Sequence, residues 1–113
     1  MSQPITVVVV PVTGDIHTKT ITSPAEHLDT FQSIVEGYIE AFTLPGGNSA
    51  VINEEGKLQN LPRNIRATEA LRGYLFSGDY ISGNLIVVGP FTEDGEVTSA
   101  DLDVAQELFG PVS

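Results

Sequence analysis

Five residues in one short stretch are equipped to grip an anion. Lys57, Arg63, Asn64, Arg66 and Arg72 lie between two acidic regions and include four of the chain's five cations. Guanidinium and amide groups in an irregular segment can hold a phosphate or a partner's carboxylate. The same groups can instead neutralise the chain's own acids, and an asparagine ahead of a turn often bonds its own backbone. A second set is acidic: Glu93, Asp94, Glu96, Asp101, Asp103 and Glu107. Such a row can imitate a line of phosphates and occupy a basic nucleic-acid-binding cleft. It can equally be a solvated face, with Asp101 and Asp103 complementing a helix dipole. Glu54 and Glu55 are adjacent carboxylates, but acid–base catalysis needs two carboxyls in unlike environments. Neighbours in a polar turn share one environment. His17 and His27 have Asp15, Glu26 and Asp29 near them in sequence. No spacing among these forms a metal motif or a nucleophile–base–orienter set, and no glycine-rich phosphate loop occurs. This reading leaves no catalytic residue, no metal site and no cofactor.

Composition narrows the classes further. The chain has 113 residues, which makes one domain. It holds no cysteine, so disulfide, thiol and cysteine–metal chemistry are absent. Fifteen acids against five bases give a formal charge of −10. Residues 1–56 carry seven acids and one base, and residues 73–113 carry seven acids and no base. Direct nucleic-acid binding by such a surface is disfavoured, because phosphates need clustered lysine and arginine. No stretch approaches the roughly 20 apolar residues of a membrane helix. No secretory leader is visible. A cytoplasmic protein is the expectation.

The elements that must position these groups are legible as periodicities. Ile5 to Val12 is a short, β-branched apolar run. It predicts a strand covered on both faces, the central strand of a sheet. Thr13-Gly14-Asp15 turns the chain into a threonine-rich edge strand over Ile16–Thr22. Ser23-Pro24-Ala25-Glu26 has the form of a capping box. It predicts a helix with Leu28, Phe31, Ile34, Val35 and Tyr38 on its apolar face and Gly37 as its left-handed stop. Tyr38–Leu44 and Ser49–Asn53 read as strands joined by Pro45-Gly46-Gly47-Asn48. Asn53–Lys57 reads as a turn with Gly56 at positive φ. Leu58–Asn64 is expected to be irregular. Thr68–Phe76 predicts a short helix with Ala70, Leu71, Tyr74 and Leu75 or Phe76 inward, weakened by Gly73. Gly83-Asn84 marks a bend or bulge before a second buried run, Leu85–Val88, laid beside the first strand. A final helix, capped by Thr98 or Ser99, ends at Gly110-Pro111 with Leu102, Ala105, Leu108 and Phe109 inward. The expected fold class is α+β: one domain with a mixed or antiparallel sheet of about five strands. A main amphipathic helix follows a β-hairpin, and a short second helix and a C-terminal helix complete it.

Several segments in this order carry a resemblance. They are the valine-rich start, Val35-Glu36-Gly37-Tyr38-Ile39-Glu40, Val51-Ile52-Asn53-Glu54-Glu55-Gly56-Lys57, Leu61-Pro62-Arg63-Asn64-Ile65-Arg66-Ala67-Thr68 and Asp79-Tyr80-Ile81-Ser82-Gly83 leading into Leu85-Ile86-Val87-Val88-Gly89. The chain resembles a family of small uncharacterised proteins, a domain of unknown function common in actinobacterial phages, plasmids and other mobile elements. The resemblance runs over residues 5–89, leaving residues 90–113 as a variable loop and helix. It implies a mobile-element origin and no transferable activity. It points to Asn53, Gly56, Asn64 and Arg66 as motif positions, with Asn64 and Arg66 tying the loop to the sheet.

The leading expectation is a non-enzymatic accessory protein that binds a host or phage protein. One alternative is an acidic nucleic-acid mimic that inhibits a DNA-binding protein, in anti-restriction or repressor antagonism. A second is a small-ligand binder or enzyme using the Asn64–Arg66 loop. The chain is expected to be a monomer, or a homodimer through an exposed edge at Thr18–Thr22.

Overall fold

Strand alternation and helix periodicity combine into three layers in a computed structural model, which describes residues 4–23 and 26–113. Strands β1 (Ile5–Val10) and β2 (His17–Ile21) form a hairpin, followed by helix α1 (His27–Val35). A second hairpin, β3 (Ile39–Thr43) and β4 (Ser49–Asn53), leads to α2 (Ile65–Ala70). Strand β5 (Leu85–Val88) and helix α3 (Leu102–Phe109) complete the chain. The five strands lie in the order β2-β1-β5-β4-β3, and every neighbouring pair is antiparallel. The architecture is α+β, as expected.

Period-two alternation divides the core between two faces. Val8, Val10, Leu85, Val87 and Ala50 face Ala67 and Leu71 of the α2 region and Ala105 and Phe109 of α3. Ile5, Val7, Ile86, Val88 and Val51 face Phe31 and Val35 of α1. The two valine-rich runs do lie side by side, with Val9 opposite Ile86. The middle of the sheet, however, is β5 rather than β1. The chain leaves the second hairpin through α2 and inserts its last strand between the two hairpins. Strand β2 is an edge, as its threonine and lysine content predicts.

Several boundaries differ from the sequence expectation, each for a local reason. Pro24 and Ala25 of the expected capping box lie outside the described residues, and Glu26 at the α1 N-cap makes no side-chain capping bond. The left-handed stop is Glu36, at φ 66°, and Gly37 has a different duty. A Cβ on Gly37 would meet Asn53 Nδ2 at 2.6 Å, so glycine admits that buried amide. Leu28 and Tyr38 are exposed and lie off the buried stripe of α1. Gly56 does not adopt positive φ. It is small because its Cβ would stand 2.9 Å from the Ser82 carbonyl oxygen. Helix α2 starts earlier than expected, because Asn64 caps it through Ala67 N, and it ends at Ala70, just ahead of Gly73 at φ 88°. Tyr74 and Phe76 are therefore exposed rather than inward. Within the expected irregular segment, Arg63 forms a bridge with Ser82. Helix α3 is capped by Asp101, not by Thr98 or Ser99, and its Leu102 is exposed.

Candidate functional site

The asparagine and arginine of the Pro-Arg-Asn-Ile-Arg-Ala-Thr motif are bonded to the fold. Asn64 is fully buried. Its Nδ2 donates to Val10 O at 2.9 Å and Gly83 O at 3.1 Å, and its Oδ1 accepts from Ala67 N at 3.0 Å. The side chain thus joins β1, the turn before β5 and the start of α2. Arg66 donates to Gly14 O at 2.8 Å, fixing the β1–β2 turn. Asn53 plays the same part on the other face. It donates to Val35 O at 3.0 Å and accepts from Glu55 N at 2.7 Å. Asn84 links Val12 N to Ile34 O, and Asn48 exchanges two bonds with the backbone of Asp101.

The basic set is divided rather than gathered. Lys57 pairs with Asp79, and Arg72 pairs with Glu69 on its own helical turn at 2.5 Å. Arg63 lies over the Tyr80 ring, 3.9 Å from its centre, and Lys57 stands 4.7 Å from the same centre. Only Lys57 and Arg63 therefore share a place, and Tyr80 joins them. The six late carboxylates are all exposed. Asp101 among them accepts from Val104 N as the α3 cap. Glu93, Asp94 and Glu96 lie in a loop closed by Thr92 and Glu96. His17 Nδ1 donates to Asp15 O at 2.9 Å within its own turn, and His27 stacks on Phe31. Among the described residues, no group of three histidine, aspartate or glutamate side chains is placed to hold a metal.

A groove of about 790 Å³ opens where α2 and α3 leave β3 and β4 uncovered. Phe42 and Ile52 form its floor, and Tyr74, Leu75, Phe76 and Leu58 form its walls. Leu58 is 81% exposed, Phe76 89% and Tyr74 46%. These are unusual values for large apolar side chains gathered in one place. The rim carries Glu40, Glu54, Glu55, Asp79 and Lys57. The Lys57 ammonium donates to Asp79, and Tyr80 N donates to the same carboxylate at 2.8 Å. These two bonds hold the Asp79 carboxyl below its ordinary value of 3.8. Asp79 and Lys57 neutralise each other, which leaves three glutamates to set the sign of the rim. The groove is thus suited to an apolar side chain beside a cation. Sequence reasoning placed Glu54 and Glu55 in a turn but did not assemble this groove. The available signal was Gly73, which stops the helix before Tyr74 and Phe76 turn inward.

Residues 5–112 match the family described as Domain of unknown function (DUF3846). The chain belongs to that family. The match continues past Gly89 through the loop and helix that follow. No curated protein and no solved structure matches the chain. No described helix is long and apolar enough to cross a membrane.

Proposed function

We propose that this DUF3846 protein is a non-enzymatic accessory protein of a phage or other mobile element that binds a host or phage protein in the cytoplasm. The supporting observation is the groove over β3 and β4, where Leu58, Tyr74 and Phe76 stand exposed around an apolar floor. Monomers rarely leave such side chains clustered in water without a partner. Asp79, on the rim of the groove, is held ionised by Lys57 and the Tyr80 amide. That favours a recognition surface over a proton-transfer site, which needs a carboxyl poised near neutrality. The loop-based ligand site is less favoured, because Asn64 is consumed by backbone bonds and lies outside the groove.

The test compares affinity capture from host lysate by the native chain and by Leu58→Ser/Phe76→Ser. One protein retained by the native chain and lost by the double variant is the expected result. A small molecule that copurifies stoichiometrically, with no protein recovered, removes the proposal. The exposure of all six late carboxylates favours a second reading, a nucleic-acid mimic. On that reading, capture is abolished by Glu93→Gln/Asp94→Gln/Glu96→Gln and falls steeply with salt.

A further inference from the structure

The two edges of the sheet are not alike. Strand β2 presents exposed threonines and Lys19. Strand β3 carries Glu40 and runs along the groove. Its hydrogen-bond phase follows from two bonds that flank the β3–β4 ladder, Leu44 N to Asn48 O at 2.7 Å and Glu54 N to Tyr38 O at 2.8 Å. Antiparallel pairs alternate between bonded and non-bonded partners. With Ile39 opposite Asn53 and Phe42 opposite Ala50, Tyr38, Glu40, Phe42 and Leu44 direct their backbone groups toward β4. Ile39, Ala41 and Thr43 direct theirs outward. The Tyr74 hydroxyl donates to Thr43 O from the open side, which fits that phase. Among the described residues, the amides and carbonyls of Ile39 and Ala41 have no other bond along this edge. The same alternation turns Glu40 and Phe42 onto the groove face.

We infer that β3 accepts an extended basic peptide as a sixth strand, seated by backbone bonds to Ile39 and Ala41, with an apolar side chain in the groove against Phe42 and Phe76. This deepens the reading above and rests on it. Strand addition supplies affinity through main-chain bonds and specificity through alternate side chains. The charge of the occupant is set by Glu40, Glu54 and Glu55, which line the groove while Lys57 is paired with Asp79. Lysine or arginine at alternate positions meets these carboxylates. A second copy of the chain would bring Glu40 toward its own counterpart on a body of formal charge −10, which opposes β3–β3 pairing.

The test selects a random dodecapeptide library on the full chain and measures the winners against Ala41→Pro. Proline at 41 removes an outward amide and leaves the β3–β4 bonds intact, so an edge position tolerates it. The expected winners carry a basic and an apolar residue two positions apart, on one face of the strand, lose about tenfold or more in affinity on Ala41→Pro, and weaken again on Glu40→Lys. Hydrogen exchange on the native chain supplies an independent readout if the proline variant unfolds. Bound peptide slows exchange at the Ile39 and Ala41 amides. Winners indifferent to Ala41→Pro, winners that are acidic, or no enrichment overturn the inference. So does a dimer of the native chain that Ala41→Pro dissociates, which assigns the edge to a second copy. Winners indifferent to Ala41→Pro but lost on Phe76→Ser remove strand addition and keep the groove as a binding site. Lysate capture that Leu58→Ser/Phe76→Ser leaves unchanged removes the underlying reading instead.

Discussion

Asn64 shows how a residue suited to binding can be fully committed to the fold. Its amide satisfies two carbonyls and one N–H in a place without access to water. Asn64→Ala strands all three, and each buried unpaired group costs about 1–3 kcal/mol. A loss of about 3 kcal/mol or more is expected in urea unfolding, and a loss below about 1 kcal/mol contradicts the role. Arg66→Ala frees one exposed bond to Gly14 O and is expected to cost under about 1 kcal/mol. Asp79 gives a pH signature. Its folded carboxyl titrates below 3.8 because Lys57 and the Tyr80 amide hold the charged form. A depressed carboxyl contributes stability above the unfolded value, and that contribution disappears as pH falls through the folded value. Asp79→Asn is therefore expected to be less stable than the native chain at pH 7, with the gap closing below about pH 4. The gap is modest, because the pair is partly exposed to solvent. A gap that widens in acid contradicts the Lys57–Asp79 pairing.

At the scale of elements, the C-terminal helix is an integral layer of the molecule. Ala105 and Phe109 are buried against the β1, β4 and β5 face, and Asp101 is locked to Asn48 by two bonds. Phe109→Ala is expected to cost about 3–5 kcal/mol, whereas Leu102→Ala on the exposed side should cost under about 1 kcal/mol. Thermal unfolding of the two variants makes the comparison, and equal shifts would contradict the docking of α3. The strands and the existence of each helix were legible because they rest on local periodicity: β-branched runs for β1 and β5, threonine and lysine for the β2 edge, and a 3–4 stripe ending in Phe31 and Val35 for α1. What was not legible depends on partners remote in sequence. Asn64 meets Val10 across 54 positions and Asn48 meets Asp101 across 53. No pattern within a window of ten residues distinguishes such a staple from a solvated turn. The groove was hidden for the same reason, since its floor comes from β3 and β4 and its walls from the chain on either side of α2.

Across the whole molecule, charge is the least balanced quantity. Among the described residues two ion pairs form, and they engage Lys57 and Arg72. The remaining carboxylates face water and each other on a chain of formal charge −10. Glu93, Asp94 and Glu96 share one short exposed loop, and Asp101, Asp103 and Glu107 share one helix. Self-repulsion of this kind favours the expanded state and is screened by salt, over about 30 Å at 0.01 M and 8 Å at 0.15 M. The melting temperature is therefore expected to rise by several degrees between those ionic strengths, since about 1 kcal/mol moves a domain of this size by roughly 4–8 °C. Glu93→Lys/Asp94→Lys should raise the low-salt value and shrink the salt response, because it relieves repulsion without touching the core. The same measurement separates the two readings of the acids. Repulsion alone predicts a double variant that is more stable and captures its partner as the native chain does. A mimic predicts a double variant that is more stable yet no longer captures its partner, because selection has then kept a costly row of charge for binding. A melting temperature independent of salt shows that the carboxylates are far enough apart, or well enough hydrated, for their repulsion to contribute nothing to stability.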